Sequence, residues 1–412
     1  MNVIFLTMSR ISSVSQRGIY TDLMRKFRNE GHNVYIVSPR ERYLGMSTGI
    51  EEKDGIHLLG VRTLNLQKTS LIEKGIGQVM VENQYKKAIK KHLVGVKFDL
   101  ILYSTPPITF SKVISFLKKQ NQDAKTYLLL KDIFPQNAID MGMLSKNGIK
   151  GMLYRYFRKK EKNLYALSDC IGCMSPANAE YLLRHNPEVD VSRVEVAPNS
   201  IELKDEDVFN DPGQLKAARY YIRKKYDLPL DKSIFIYGGN LGKPQGIDYI
   251  VKCLDANKNR KDCYFVVVGS GTEYDKIASW MSDERSKRAD ICVKVMQGLP
   301  KADYDLLVRS CDIGLIFLDH RFTIPNYPSR LLSYLENKMP VLCATDINTD
   351  IGKIAEDNGY GYWCESVKPE NFTSLVDKLL ASDIKAMGEK GYEFLKQNYL
   401  VENTYNAIVQ TF

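Results

Sequence analysis

The chain has 412 residues and a formal net charge of +9. That length exceeds one compact core, so two domains of about 200 residues each are expected. With 44% apolar and 26% charged residues the composition is that of a globular protein, which excludes the disordered and low-complexity classes.

The charge is unevenly spread. Residues 1–200 hold 30 Lys/Arg against 18 Asp/Glu, and the remainder hold 28 against 31. The basic half is either a solvated face or a surface that meets something anionic, such as a membrane or a phosphate-bearing acceptor. Eight cysteines, at 170, 173, 253, 263, 292, 311, 343 and 364, lie mostly in apolar runs. Cys170 and Cys173 form C-x-x-C inside an expected strand, without a second pair for zinc or a following helix start to activate a thiol. Buried reduced thiols in a reducing cytosol are expected. Residues 1–8 are too short an apolar run for a signal peptide, and no stretch has transmembrane length. The expectation is a cytoplasmic protein, soluble or peripheral at the inner face of the plasma membrane.

Taken in order, residues 2–7 read as a buried strand, followed by a Ser-rich loop ending at Arg17-Gly18. A helix over 20–29 carries Tyr20, Leu23, Met24 and Phe27 on one stripe, and 34–37 is the next strand. This is the opening of an α/β domain. The loop lacks G-x-G-x-x-G, so a dinucleotide is not expected there. Gly18 is a turn residue or a point of close ligand approach. Residues 40–75 read as irregular apart from a strand at 56–61. A helix over 76–94 carries Lys86, Lys87, Lys90 and Lys91, two like-charged i,i+4 pairs that cost helix stability. An exposed face or an anionic surface beside it accounts for them.

Strand 100–103 enters Ser104-Thr105-Pro106-Pro107, then helix 109–120 and strand 127–130 follow. At the carboxyl end of that strand stand Lys131 and Asp132, where open α/β sheets bind ligands; Asp132 is alternatively a helix cap. Helix 150–167 mixes Tyr154, Tyr156, Phe157 and Leu164 with five basic residues after Lys150. It packs on the core with a basic outer face, or it rests on lipid headgroups. Strand 170–174, helix 177–184 and strand 194–197 complete the first half. Residues 201–232, with Pro/Gly punctuation and a short basic helix, read as the crossing between domains. Asp205-Glu206-Asp207 in this stretch resembles a D-x-D metal pair but reads as solvated.

The second half restarts the same grammar. Strand 234–237 runs into Gly238-Gly239-Asn240-Leu241-Gly242-Lys243-Pro244-Gln245-Gly246 and helix 247–257. Glycines permit close backbone approach, Lys243 offers a cation, and Asn240 and Gln245 offer amides. The spacing is not that of a P-loop. Strand 264–268 ends in Gly269-Ser270-Gly271, a turn signal. Strand 291–296 leads to Gln297-Gly298-Leu299-Pro300 and helix 301–310. Strand 313–318, the Pro328-Ser329 helix start and strand 341–344 follow. A helix start at the mouth of a sheet suits a phosphate, because unpaired N–H groups and the helix dipole favour negative charge. Segments 371–380, 384–397 and 401–410 read as helical.

Six segments carry a resemblance: RGIYTDLMRKFRNEGHNVYIVSP, SDCIGCMSPANAEYL with VAPNSIE, IYGGNLGKPQGIDYI, VVVGSGTEYDKI, GLPKADYDLLVRSCDIGLIFL and PSRLLSYLENKMPVL. In this order they resemble retaining glycosyltransferases of family four with the GT-B fold, especially bacterial enzymes of capsule, O-antigen and exopolysaccharide assembly. The resemblance implies two Rossmann-like α/β domains facing a cleft. The N-terminal one (1–200) receives the acceptor, the C-terminal one (233–395) holds a nucleotide-sugar, and 396–412 crosses back to the first. It implies that Asn240, Gly242, Lys243 and Gln245 face the donor diphosphate and that Gln297 to Leu299 line the base. The amides of Ser329, Arg330 and Leu331 would take a phosphate, with Arg330 or Arg321 adding charge. Gly18 matches a glycine whose backbone approaches the donor, and Lys131-Asp132 occupies the place of a catalytic His-Asp pair.

One departure stands out. Relatives carry two Glu residues on the donor side, and the matching positions here are Pro325 and Ser333. Ser333 offers a neutral hydrogen bond in place of a charged one. Glu336, on the same helix face about 4.5 Å further along, either substitutes or is solvated. The resemblance implies no metal or other cofactor, a UDP-sugar or related donor, and a saccharide or polyprenyl-linked acceptor. It also implies no nucleic-acid partner. The missing Glu pair leaves open a weakly active or non-catalytic partner in polysaccharide assembly. A sugar-nucleotide epimerase shares the fold but depends on carboxylates and His residues, and the chain has five His.

Overall fold

Fourteen strands form two sheets, one in each of two units, among residues 1–66, 71–204, 212–288 and 290–411, the part of the chain that the computed structural model describes. Unit 1 comprises Met1–Glu202 with Tyr399–Phe412, and unit 2 comprises Leu203–Asn398. Asp205-Glu206-Asp207 lies outside the described residues.

Unit 1 runs β1 (Asn2–Leu6), α1 (Ile19–Asn29), β2 (Asn33–Glu41), β3 (Gly49–Lys53), β4 (Ile56–Thr63), α2 (Leu71–His92), β5 (Leu100–Ser104), α3 (Ser111–Gln120), β6 (Lys125–Leu130), α4 (Gln136–Asp140), α5 (Gly148–Leu167), β7 (Cys170–Cys173), α6 (Pro176–His185) and β8 (Val194–Val196). The sheet order is β3-β4-β2-β1-β5-β6-β7-β8, parallel throughout except for β3 against β4. Strands buried on both faces read as continuous apolar runs, and β1 and β5 are such runs, with Val3, Phe5, Leu100 and Leu102 in the core. On α1 the stripe Leu23, Met24 and Phe27 is buried as its spacing predicts. Residues 40–75 are more regular than expected. β2 continues to Glu41, and Gly49–Lys53 forms an antiparallel edge strand whose exposed GIEEK sequence carries no apolar alternation. Charged edge strands of this kind discourage pairing with other chains.

Unit 2 runs α7 (Pro212–Lys225), β9 (Ser233–Asn240), α8 (Ile247–Asn257), β10 (Cys263–Ser270), α9 (Tyr274–Lys287), β11 (Val293–Met296), α10 (Lys301–Ser310), β12 (Ile313–Phe317), α11 (Arg330–Glu336), β13 (Val341–Thr345), α12 (Ile351–Asp357), β14 (Gly361–Glu365), α13 (Pro369–Leu380) and α14 (Ile384–Asn398). Its six strands are all parallel in the order β11-β10-β9-β12-β13-β14. The order reverses between β9 and β12.

Residues 201–232 are not a linker over their described part. Arg223 of α7 is wholly buried and donates to the carbonyls of Ser310, Pro229 and Lys232 and to Asp312, which also pairs with Arg219. Arg223 of this basic helix thereby satisfies the Ser310 carbonyl at the end of α10. The helix α15 (Val401–Gln410) belongs to unit 1, where Tyr405 meets Phe27 edge-on at 4.9 Å and its hydroxyl lies 2.9 Å from His32 Nε2. All eight cysteines are free and buried, and no helix among the described residues is long and apolar enough to cross a membrane.

Candidate functional site

Ligands of open α/β sheets bind at the carboxyl ends of the strands, where the strand order reverses. In unit 2 that point lies between β9 and β12, and the loops that follow them are fastened together. The Asp319 N–H donates to the Pro244 carbonyl at 3.0 Å. Gly246, at φ 64°, adopts a left-handed backbone that favours glycine.

The Gly-rich loop is shaped by close backbone contacts. A Cβ on Gly238 would lie 2.0 Å from the Tyr304 hydroxyl. A Cβ on Gly269 would lie 1.9 Å from the Gly239 carbonyl oxygen, and one on Gly271 2.3 Å from that of Leu241. Gly269-Ser270-Gly271 therefore does more than turn the chain: it lets the end of β10 pack on the loop. Asn240 and Gln245, expected to face a ligand, are bonded to each other. The Asn240 Nδ2 and the Gly242 N–H both donate to Gln245 Oε1, at 3.0 and 3.1 Å, which holds the loop closed. Lys243 stands exposed at its tip with no ionic partner among the described residues.

Beside the loop lies Arg330. Its guanidinium carbon is 4.2 Å from the centroid of the Tyr237 ring, a cation–π geometry. The Tyr237 hydroxyl donates to the Asn240 carbonyl at 2.6 Å, which fixes the ring. Arg330 Nη1 is buried and makes no hydrogen bond among the described residues, and Nη2 would lie 3.2 Å from a Cβ on Gly239. Burial opposes its charge, but the hydroxyls of Tyr237, Tyr334 and Tyr304 outweigh that, so its pKa sits above the ordinary arginine value. Tyr334 is itself buried, with its hydroxyl donating toward the Ile236 and Leu315 carbonyls. Tyr237, Tyr304 and Tyr334 carry no signal of this role in the sequence. Their spacing reads as plain core, and only contact with Arg330 reveals the cluster.

The other residues expected on the donor side have these surroundings. Arg321 forks onto Asp319, with Nε–Oδ1 and Nη2–Oδ2 both 2.8 Å, so its charge is already matched. The Leu331 N–H donates to the Pro328 carbonyl at 3.2 Å, inside the first turn of α11. The amides of Ser329 and Arg330 have no acceptor among the described residues. Ser333 is half-buried on α11 and Pro325 is buried. Glu336 is not solvated: it accepts the Lys204 N–H at 3.1 Å and lies 3.5 Å from its Nζ. Gln297 is exposed and Leu299 half-buried after β11, at the edge of the sheet and two strands from β9.

Unit 1 gathers a second polar cluster. Thr105, after β5, accepts the amides of Lys131 and Asp132 at 3.0 and 3.1 Å, tying the ends of β5 and β6 together. Lys131 Nζ donates to the Ala197 carbonyl at 3.0 Å, and burial pulls its pKa down to about 7. Burial pushes Asp132 up to about 6, against the opposing hydrogen bond from Asn137 Nδ2 at 2.8 Å. Tyr20, raised by burial, lies close enough to Asp132 to feel its charge. The backbone of Gly18 is bonded at the entry of α1. Its N–H donates to Asp22 Oδ1 at 2.9 Å, and its φ of 173° is extended backbone open to any residue. No group of three or more His, Cys, Asp or Glu residues among the described residues is arranged to hold a metal ion.

Residues 219–394, nearly all of unit 2, match the family model described as Glycosyl transferases group 1. The chain is 22% identical to "Probable glycosyltransferase WbjE" of Pseudomonas aeruginosa over 81% of its own length and 78% of the relative's. Among solved structures it superposes on sucrose-phosphate synthase from Thermosynechococcus elongatus with a TM-score of 0.71 and 13% identity, covering 99% of this chain and 98% of that one. It superposes on Anabaena HepE in complex with UDP with a TM-score of 0.66 and 12% identity, covering 100% and 99%. These likenesses establish the fold: two Rossmann-like α/β units of the kind found in GT-B glycosyltransferases.

Proposed function

We propose that this chain, whose second unit is a glycosyltransferase group 1 domain, moves a sugar from a UDP-sugar to a saccharide or polyprenyl-linked saccharide acceptor with retention of configuration. The observation that carries the reading is Arg330, a half-buried cation with a buried Nη1, stacked on Tyr237 beside a glycine-lined backbone at the reversal of the strand order. Such a group stabilises a diphosphate as charge develops on it. Lys243 adds a mobile cation from the loop tip, and the amides of Ser329 and Arg330 supply neutral donors. Together they take the part that a metal plays in other sugar transfers. The UDP bound to the structurally similar HepE supports a uridine nucleotide, and the name of WbjE supports glycosyl transfer.

In this reading the departing phosphate accepts the acceptor proton on the face from which the acceptor attacks, so configuration is retained. Asp132 holds and polarises the acceptor hydroxyl. Lys131, anchored on Ala197, is its positioning neighbour. Ser333 gives the nucleotide a neutral hydrogen bond, because Glu336 is engaged by Lys204. The same absence of carboxylates favours a second reading, a weakly active partner in cell-surface polysaccharide assembly. Incubation with a panel of UDP- and GDP-sugars, with and without chelator, separates the two. Slow release of UDP from one donor, unaffected by chelator, is the expected result. Nucleotide binding without release, or no binding at all, overturns the transfer reading and favours the partner.

A further inference from the structure

We infer that Asp346 and Thr349, in the loop between β13 and α12, are positioning residues for the donor site of unit 2. They brace the backbone of residues 322–326, from which the chain enters α11 at Ser329 and Arg330. The inference rests on the donor reading given above, and its test separates the two.

The brace starts from one carboxylate. Asp346 is wholly buried and Thr349 is buried beside it. Asp346 Oδ1 accepts the N–H groups of Asn348 and Thr349, both at 2.9 Å, as an aspartate does in an ordinary turn. Its second oxygen makes a link that the turn does not need. Oδ2 accepts the Thr349 hydroxyl at 2.9 Å, and the oxygen of that hydroxyl accepts the Asn326 N–H at 3.0 Å. A hydroxyl has one proton to give. The carboxylate takes it, so the Thr349 oxygen turns its lone pairs to Asn326 and matches a backbone donor. Asn348 adds a second link, its Nδ2 donating to the Phe322 carbonyl at 2.7 Å. Two adjacent residues thus hold both ends of the stretch 322–326.

That stretch joins the two sides of the donor site. Upstream, the Asp319 N–H is bonded to the Gly-rich loop at Pro244. Downstream, the chain passes from Asn326 through Tyr327 and Pro328 to Ser329 and Arg330. A displacement of 322–326 therefore moves the start of α11 relative to the Gly-rich loop. The last strand backs the brace: Trp363 Nε1 donates to Thr345 Oγ1 at 2.9 Å, and Ser366 Oγ donates to the Leu318 carbonyl at 2.6 Å. Stability does not account for the carboxylate. Burial pushes the Asp346 pKa up to about 6, so its ionised form costs stability where it stands. Packing alone at such a place is served as well by a neutral side chain. What the carboxylate supplies is a pair of acceptor oxygens that fix three donors, one of which carries the geometry across to the donor loop.

The test is calorimetric titration of the full chain with UDP, comparing the wild type with Thr349→Val, Thr349→Ser and Thr373→Val. Valine keeps the shape of threonine and removes both hydrogen bonds of the hydroxyl, whereas serine keeps the hydroxyl. Thr373 is the control. Its Oγ1 accepts Asn257 Nδ2 at 2.8 Å and donates to the Pro369 carbonyl at 3.2 Å, a double link of the same kind that joins α8 to α13 instead of two loops. The expected result is UDP affinity about fivefold or more below wild type in Thr349→Val, and within about twofold of it in Thr349→Ser and Thr373→Val. Hydrogen exchange of the wild type covers the case in which Thr349→Val does not fold: UDP should slow the amides of 322–330 and 346–349 together. Wild-type affinity in a folded Thr349→Val, no rescue by Thr349→Ser, or an equal loss in Thr373→Val overturns the inference and leaves the donor reading standing. So does protection of 322–330 by UDP with 346–349 unchanged. A wild type that binds no UDP overturns the donor reading and this inference with it.

Discussion

Gly269→Ala is the substitution that most sharply separates the shape of the donor loop from the stability of unit 2. Gly269 pairs with Gly239 across β10 and β9. Its Cβ would lie 1.9 Å from the Gly239 carbonyl oxygen, where ordinary contact begins at 3.4 Å. The backbones must separate by about 1.5 Å, a larger shift than a packed core absorbs without loss. β10 is held by β11 and by buried Val266, Val267 and Val268, whereas Gly239 and Asn240 are exposed. The loop therefore moves. Overpacking of this kind costs about 1–3 kcal/mol of stability, which leaves unit 2 folded. The displaced Gly239 sits against Arg330 Nη2, and a ~1 Å misplacement costs about 10²-fold in turnover. Calorimetric titration with UDP should show affinity falling by about tenfold or more, or 1.4 kcal/mol, with cooperative melting retained. Gly49→Ala, whose Cβ meets Arg40 Nη1 at an ordinary 3.6 Å, is the control and should bind UDP normally. A Gly269→Ala protein that binds UDP within about twofold of wild type would refute the role given to this glycine.

Two further outcomes follow from the same geometry. Arg223→Ala removes a buried guanidinium and strands the carbonyls of Ser310, Pro229 and Lys232. It should cost about 3–5 kcal/mol, or roughly 6–20 °C in the melting of unit 2; a shift below about 2 °C would show that the α7 anchor is dispensable. Asp132 is raised to about 6 by burial, so the folded state holds its proton more tightly than the unfolded state does. Its contribution to stability is therefore lost as pH rises from the ordinary carboxylate range near 4 through about 6. Asp132→Asn should gain melting temperature relative to wild type over that rise, and wild-type transfer should decline as pH falls below about 6. Parallel stability profiles for the two proteins would contradict the buried-carboxylate account.

The fold class was legible because parallel strands buried on both faces write themselves as apolar runs, as at 2–6, 100–104 and 313–317. Elements with weak patterns were missed. α9 shows little apolar content beyond Ile277, Trp280 and Met281, β14 is a half-buried edge, and β3 ends in the charged run Glu51-Glu52-Lys53. Residue types at the loop were visible, but not what each one binds. Asn240 and Gln245 offer amides in sequence and spend them on each other in space. Arg321 and Arg330 look equivalent until Asp319 takes one and Tyr237 stacks on the other. The roles of Gly238, Gly269 and Gly271 depend on atoms from other elements, which local sequence does not encode.

The central claim is that unit 2 holds a nucleotide diphosphate against Arg330. Calorimetric titration of the intact protein with UDP, compared with Arg330→Ala, tests it most directly. Loss of a charge-assisted hydrogen bond and its cation–π support predicts about 10- to 100-fold weaker binding in a variant that still melts cooperatively. Equal affinity in the two proteins, or no UDP binding by the wild type, would contradict it.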